Sequence, residues 1–255
     1  MVSDLYKKNN YRKDIIYIVG ESIIEYDISS AGFNICKEFK LLDQNTLSKM
    51  ECLNKHNRQV YLGNLCRISK NLSVQISEGF LNARRLLFEN NNLQDKDILA
   101  IKKDAVWIIN KKCDNTKFGY IEFIPKNKYR FYILLDKNEF YFNDNSFACK
   151  GIDDSLLKFH KDYMIDSIKD FLTYLNENKN ICIDYLLQFA YSYRNRLLDI
   201  NYYRELNKQS LFKPIKNINI MNTNFGYKDF NLDTKYLDIS YNYINYIIPM
   251  WKLII

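Results

Sequence analysis

Apolar and polar positions are patterned differently in the two parts of the chain. Residues 14–25, DIIYIVGESIIE, read as two short strands around Gly20, and Asp27 follows where the second strand stops. Residues 41–55 predict a helix of ordinary length. Residues 72–92 predict a longer one, because Leu72, Ile76, Phe80, Ala83 and Leu87 recur at helical spacing on one face, with Arg84 and Arg85 emerging beside it. After the polar stretch NNNLQDKD, two apolar runs at 98–101 and 105–109 are separated only by Lys102, Lys103 and Asp104. That is the pattern of a tight hairpin with Asp104 at or beside its tip. Runs at 119–124, 129–135, 139–142 and 146–149 predict antiparallel strands joined by short polar turns such as PKNK and DKN.

The character changes at Asp153. An Asp-Asp-Ser start and apolar residues at Leu156, Leu157, Phe159, Met164, Ile168, Phe171 and Leu175 predict a helix, and residues 180–198 predict another. The last 55 residues are rich in Asn and Tyr and irregular in pattern. The expected class is α+β, with a mixed region at 1–152 and a helical region at 153–255. No period of 20 to 50 residues recurs, and with 7 Gly and 3 Pro in 255 residues flexible linkers are disfavoured. No apolar run reaches the roughly 18 residues a membrane span needs, and the N-terminus lacks a signal-peptide core. A soluble, cytoplasmic protein with no membrane span is expected. The apolar tail at 246–255, broken by Pro249 and Lys252, reads first as a segment docked on the core and second as an interfacial membrane contact.

Charge narrows the partners. A total of 37 Lys and Arg against 30 Asp and Glu gives +7, which favours polyanions. Heavy use of Lys, Asn, Ile and Tyr, as an A- and T-rich coding sequence dictates, discounts that signal. The six cysteines are scattered without a CxxC or Cys/His cluster, which points away from a disulfide framework or zinc site and towards a reducing compartment. His56 and His160 are the only histidines, so a Ser-His-Asp or Cys-His site has little to draw on, and His160 reads as a helix-surface residue. Neither a P-loop nor a GxGxxG loop is present. Tyr185, Phe189, Tyr191, Tyr193, Tyr202 and Tyr203, mixed with Arg194, Arg196 and Arg204, suit base stacking with phosphate contacts, and equally suit core packing with a basic outer face.

Two-metal phosphoryl transfer requires two carboxylates from separate strands within reach of the same divalent ions. Asp27 and Asp104, each at the edge of an apolar strand, have the residue type and placement for it. The text around them adds a resemblance. Asp27-Ile28-Ser29-Ser30-Ala31-Gly32-Phe33-Asn34-Ile35 resembles the first palm motif of family B DNA polymerases, an Asp, two residues, then Ser-Leu-Tyr-Pro-Ser-Ile, with Asp, Ser and Ile in place. Lys102-Lys103-Asp104-Ala105 resembles that family's Asp-Thr-Asp-Ser, with Asp104 on the metal-ligating second Asp. Lys55 stands eight residues before Gly63, as the Lys and Gly of the middle motif do, although that motif's Asn-Ser and Tyr are absent. Lys150-Gly151 resembles the Lys-Gly that leads towards the thumb. The resemblance spans residues 14–152.

The resemblance implies a palm-like antiparallel sheet with packed helices, then a helical thumb-like region. It implies Mg²⁺ or Mn²⁺ held by Asp27 and Asp104, and nucleoside triphosphate met by Ser30, Gly32, Phe33, Lys55 and Arg58. Arg84, Arg85, Lys102, Lys103, Lys150, Arg194, Arg196 and Arg204 are the candidates for contact with a DNA or RNA strand. The function expected is a small polymerase-like nucleotidyltransferase without a proofreading region, aided in processivity by a protein partner. Two departures matter. Lys102 replaces the first Asp of the third motif, which favours an alternative: a palm-derived nucleic-acid-binding accessory or regulatory subunit without catalysis. Gly32 replaces the Tyr that excludes the 2′-hydroxyl in the family, so ribonucleotides are expected to be tolerated. A second alternative is a two-metal nuclease, for which Glu25 and Glu122 are the nearest further acidic ligands.

Overall fold

Two long strands, β2 (Tyr17–Ile28) and β6 (Ile121–Leu135), carry the chain through both of its structural units. The computed structural model describes residues 2–144, 146–151, 161–195, 197–198 and 248–254. The first unit comprises Met1–Asp14 and Glu21–Tyr129, and the second Ile15–Gly20 and Arg130–Ile255. The architecture is α+β with antiparallel strand pairing and packed helices.

In the first unit the short strand β1 (Asn10–Tyr11) pairs with β3 (Ile98–Lys102), and β3 forms a hairpin with β4 (Ala105–Ile109). β4 pairs in turn with the end of β2, from Ile23↔Ile109 to Asp27↔Ala105. All five residues of β4 are buried, as are Ile98, Leu99, Ala100 and Ile101 of β3, which is why both strands read as continuous apolar runs. The hairpin turn is only Lys103 and Asp104, with Lys103 at φ +55°, a left-handed conformation of the kind two-residue hairpins demand. Strand β5 (Lys117–Phe118) pairs with the start of β6.

Four helices follow the chain between β2 and β3: α1 (Ala31–Glu38), α2 (Gln44–Glu51), α3 (Lys55–Ile68) and α4 (Lys70–Asn90). The α4 stripe Leu72, Ile76, Phe80, Ala83 and Leu87 is buried as its spacing predicts, and Ser69 Oγ caps the helix by accepting from Leu72 N at 3.2 Å. Gly79 lets α1 lie close to α4, because a Cβ there would overlap Ile35 Cγ2. Neither α1 nor α3 stands out in the sequence pattern. The first is only eight residues long, and the second has a single buried residue, Leu62, so no apolar stripe marks it. The helix expected over 41–55 is shorter, Gln44–Glu51, since Asp43 caps one end and Asn54 already caps α3.

In the second unit β6 continues into a meander with β7 (Asn138–Phe142) and β8 (Phe147–Lys150). Helices α5 (Lys161–Glu177) and α6 (Lys179–Arg194) supply Ile168, Phe171, Leu172, Cys182, Leu186 and Phe189 to a core shared with Ile133, Leu135, Phe140 and Phe142. Helix α7 (Ile248–Ile254) buries Met250, Trp251 and Ile254 in that core, so this part of the apolar tail is docked on the second unit. No helix of the described residues is long and apolar enough to cross a membrane.

Two strand boundaries differ from the sequence reading. β2 runs unbroken through Gly20, whose φ of +79° bends the strand without ending it. β6 is one strand through PKNK, Pro125 included, and it is the neighbour of β2 in the sheet, so the polar stretch that reads as a turn stays extended. β6 is divided between the two units at Tyr129 and Arg130, and its apolar side chains from Ile133 onward pack with α5 and α6.

Candidate functional site

Asp27 and Asp104 come together at the open end of the β2–β4 pair. Asp27 is in register with Ala105, and Ile28 N donates to Asp104 O at 3.1 Å, so the two residues are diagonal neighbours across adjacent strands. Both line a cavity of about 560 Å³, within the size range of small-molecule sites. Burial pushes the Asp104 carboxyl above its ordinary range, and the negative charge of Asp27 raises it further, while Lys103 and Lys126 pull it back.

The same cavity is lined by Ser30, Gly32, Phe33, Lys55, Arg58, Gly63, Lys103 and Lys126. Every residue assigned from sequence to the metal or the nucleotide is among its lining. Ser30 sits at φ 44° and ψ 44° as the N-cap of α1, yet its hydroxyl makes no cap bond. The first intrahelical bond recorded in α1 is Asn34 N to Ser30 O at 3.0 Å, which leaves the N–H groups of the preceding turn beside the cavity without helical partners. Left-handed residues at Ser30 and Lys103 are sterically costly, and here both border the cavity. Arg58 lays its guanidinium 4.5 Å from the centre of the Phe33 ring and donates to Leu53 O at 3.0 Å.

Behind the aspartates lies a buried polar support. Glu25, two residues before Asp27 and so on the same face of β2, is 3% exposed. It accepts from Asn127 Nδ2 at 2.6 Å and from the Tyr129 hydroxyl at 3.1 Å. Burial, together with the Glu25 charge, drives the Tyr129 hydroxyl far above its ordinary pKa. Lys126, one residue before Asn127, reaches Asp27 Oδ2 at 3.2 Å. Sequence reasoning missed Lys126 because PKNK reads as a turn; only its charge between two apolar runs could have marked it.

Other residues assigned from sequence lie elsewhere. Arg84 is a correction: it is 3% exposed, and its guanidinium meets Asn9 Oδ1, which also accepts from Lys103 N at 3.2 Å. Arg84 therefore braces the hairpin turn from inside rather than emerging beside the apolar stripe. Arg85 is exposed on α4. Lys102 lies with its ammonium 5.7 Å from the Trp107 ring centre, outside the cavity lining. Lys150 ends β8 in the second unit, in register with Glu139. The aromatic segment splits, with Phe189 in the core and Tyr191 at 58% exposure. His160, Arg196, Tyr202, Tyr203, Arg204 and the side chains of Tyr193 and Arg194 lie outside the described residues.

The donor set suits a hard divalent ion, which takes oxygen ligands and, when small, is held by one or two carboxylates with water and phosphate oxygens. Among the described residues no group of three or more His, Cys, Asp or Glu side chains is placed to hold a metal; Asp27 and Asp104 are two. Glu25 is engaged by Asn127 and Tyr129, and Glu122 is not part of the cavity lining.

Residues 1–255 match the family described as bacteriophage PBS1 gene 130 protein. The chain belongs to that family. No curated protein matches it.

Proposed function

We propose that the first unit is a polymerase-palm-like nucleotidyltransferase site that joins nucleotides to a nucleic-acid strand. One observation carries this reading: residues far apart in sequence, chosen on three separate motifs, line one cavity. Bound at Asp27 and Asp104, Mg²⁺ or Mn²⁺ would supply charge neutralisation at the phosphoryl group and activation of the attacking hydroxyl. The chain's own residues do the rest. Lys55 and Arg58 offset the charge of a triphosphate, Lys103 meets a phosphate of the strand, and the N-terminus of α1 offers backbone N–H groups to the triphosphate oxygens. Gly32 presents no ring to the sugar.

The engagement of Glu25 by Asn127 and Tyr129 weighs against the nuclease alternative, which needs further acidic ligands. The Lys126–Asp27 ion pair favours the non-catalytic alternative to a degree, since it satisfies one carboxylate without a metal. Incubation of the purified protein with labelled NTPs or dNTPs, a primed template and Mn²⁺ separates the three. Strand extension is expected; strand binding without turnover supports the accessory role, and strand degradation the nuclease.

A further inference from the structure

Lys126 Nζ lies 3.2 Å from Asp27 Oδ2, and both residues line the cavity that Asp104 shares. The ammonium is the more accessible partner: its side chain is 58% exposed, against 28% for Asp27. Immediately after it, Asn127 and Tyr129 fasten β6 to the buried Glu25. The backbone that carries Lys126 is thus anchored on β2 while its charged end can swing into solvent. Lys126 also feels the charges of Glu25 and Asp104, so it faces three carboxylates and hydrogen-bonds one.

We propose that Lys126 is a resident counter-cation of the Asp27–Asp104 pair, which a divalent ion must displace from Asp27 in order to bind. This rests on the metal reading of the two aspartates given above. An ammonium bonded to Asp27 Oδ2 competes for the oxygen that a small divalent ion would coordinate at about 2.0–2.1 Å. Two cations at one carboxylate also repel. Lys126 therefore sets the metal affinity of the site, and the Glu25–Asn127–Tyr129 contact sets the reach of Lys126. An exposed ion pair of this kind corresponds to roughly a two- to fivefold effect on an equilibrium, and the repulsion between the ammonium and the arriving ion adds to it.

The test is a titration of Mn²⁺ into the full-length protein, with the free ion read by electron paramagnetic resonance. Lys126→Met is expected to bind Mn²⁺ about three- to tenfold more tightly than wild type. Lys126→Arg keeps a counter-cation, and Lys112→Met removes an exposed charge outside the cavity lining; both are expected to stay within about twofold of wild type. Asp27→Asn is expected to lose the site. If Lys126→Met binds no more tightly than wild type while Asp27→Asn still abolishes binding, the counter-cation role is wrong and the metal reading stands. If Lys112→Met tightens binding as much as Lys126→Met, the effect is one of net charge and the proposal is again overturned. If wild type takes up no Mn²⁺, or Asp27→Asn binds it normally, both the proposal and the metal reading fall.

Discussion

A Cβ placed on Gly32 would lie 2.7 Å from Leu62 Cδ2, across the contact between α1 and α3. The missing side chain at position 32 therefore does two things: it leaves that wall of the cavity without a ring, and it lets α3 approach α1. Gly32→Tyr is expected to displace Leu62 and lower stability by about 1–3 kcal/mol, as overpacking does. Denaturant unfolding of the variant checks this. In a Leu62→Ala background, where the ring has room, Gly32→Tyr is expected to shift incorporation from NTPs towards dNTPs. Unchanged sugar preference in that double variant would sink the argument that Gly32 opens the site to ribonucleotides.

Asp104 gives a pH prediction. Its folded-state pKa is raised above the ordinary 3.8, by burial first and by Asp27 second. The stability this group contributes is therefore full below the unfolded value and is lost as pH rises through the folded value. At neutral pH the charged form is a burden on the fold, so Asp104→Asn is expected to melt at a higher temperature than wild type. The gap should close as pH is lowered towards 3.8. Melting curves across that range decide it, and a variant less stable than wild type at pH 7 would contradict the assignment of burial as the dominant cause.

The Glu25 support is expected to be structural as well as positional. Tyr129→Phe removes one hydrogen bond to a buried carboxylate and should cost about 1.5–3 kcal/mol. Glu25→Ala, which removes the acceptor shared by Asn127 and Tyr129, should cost at least as much. A double-mutant cycle between the two positions is expected to show coupling of about 1 kcal/mol or more. Additive losses would mean that the two side chains do not act as a unit.

Strand binding is expected to weaken as salt rises, because each neutralised phosphate releases counterions, with a slope of roughly 0.7–0.9 per phosphate in log K against log salt. Replacing Lys103 by Met should reduce that slope by about one contact. An affinity indifferent to salt, or none at low salt, would remove the basis for a nucleic-acid partner.

The placement of much of the candidate site was legible in the sequence, and for identifiable reasons. The β3–β4 hairpin announces itself because two fully buried strands leave only Lys103 and Asp104 between them. Asp27 is marked by the end of an apolar run. What could not be read depends on tertiary partners. Arg84 falls beside the α4 stripe in sequence but is buried against Asn9, a residue 75 positions away. Lys126 reaches Asp27, 99 positions earlier, because β6 stays extended through Pro125. The division of the chain at Tyr129 is likewise hidden, since the strands on either side of it read alike and differ only in what they pack against.

On the reading proposed above, Asp27 and Asp104 together form a metal-dependent site for nucleotidyl transfer. Its most direct test is incorporation of labelled NTPs and dNTPs on a primed template with Mn²⁺, comparing wild type with Asp27→Asn and Asp104→Asn after both variants are shown to be folded. Incorporation by wild type is expected, with a loss of at least about a hundredfold in each variant, the scale on which removing a group that stabilises the transition state acts. Full activity in both variants, or no incorporation by wild type at any metal concentration, would contradict it.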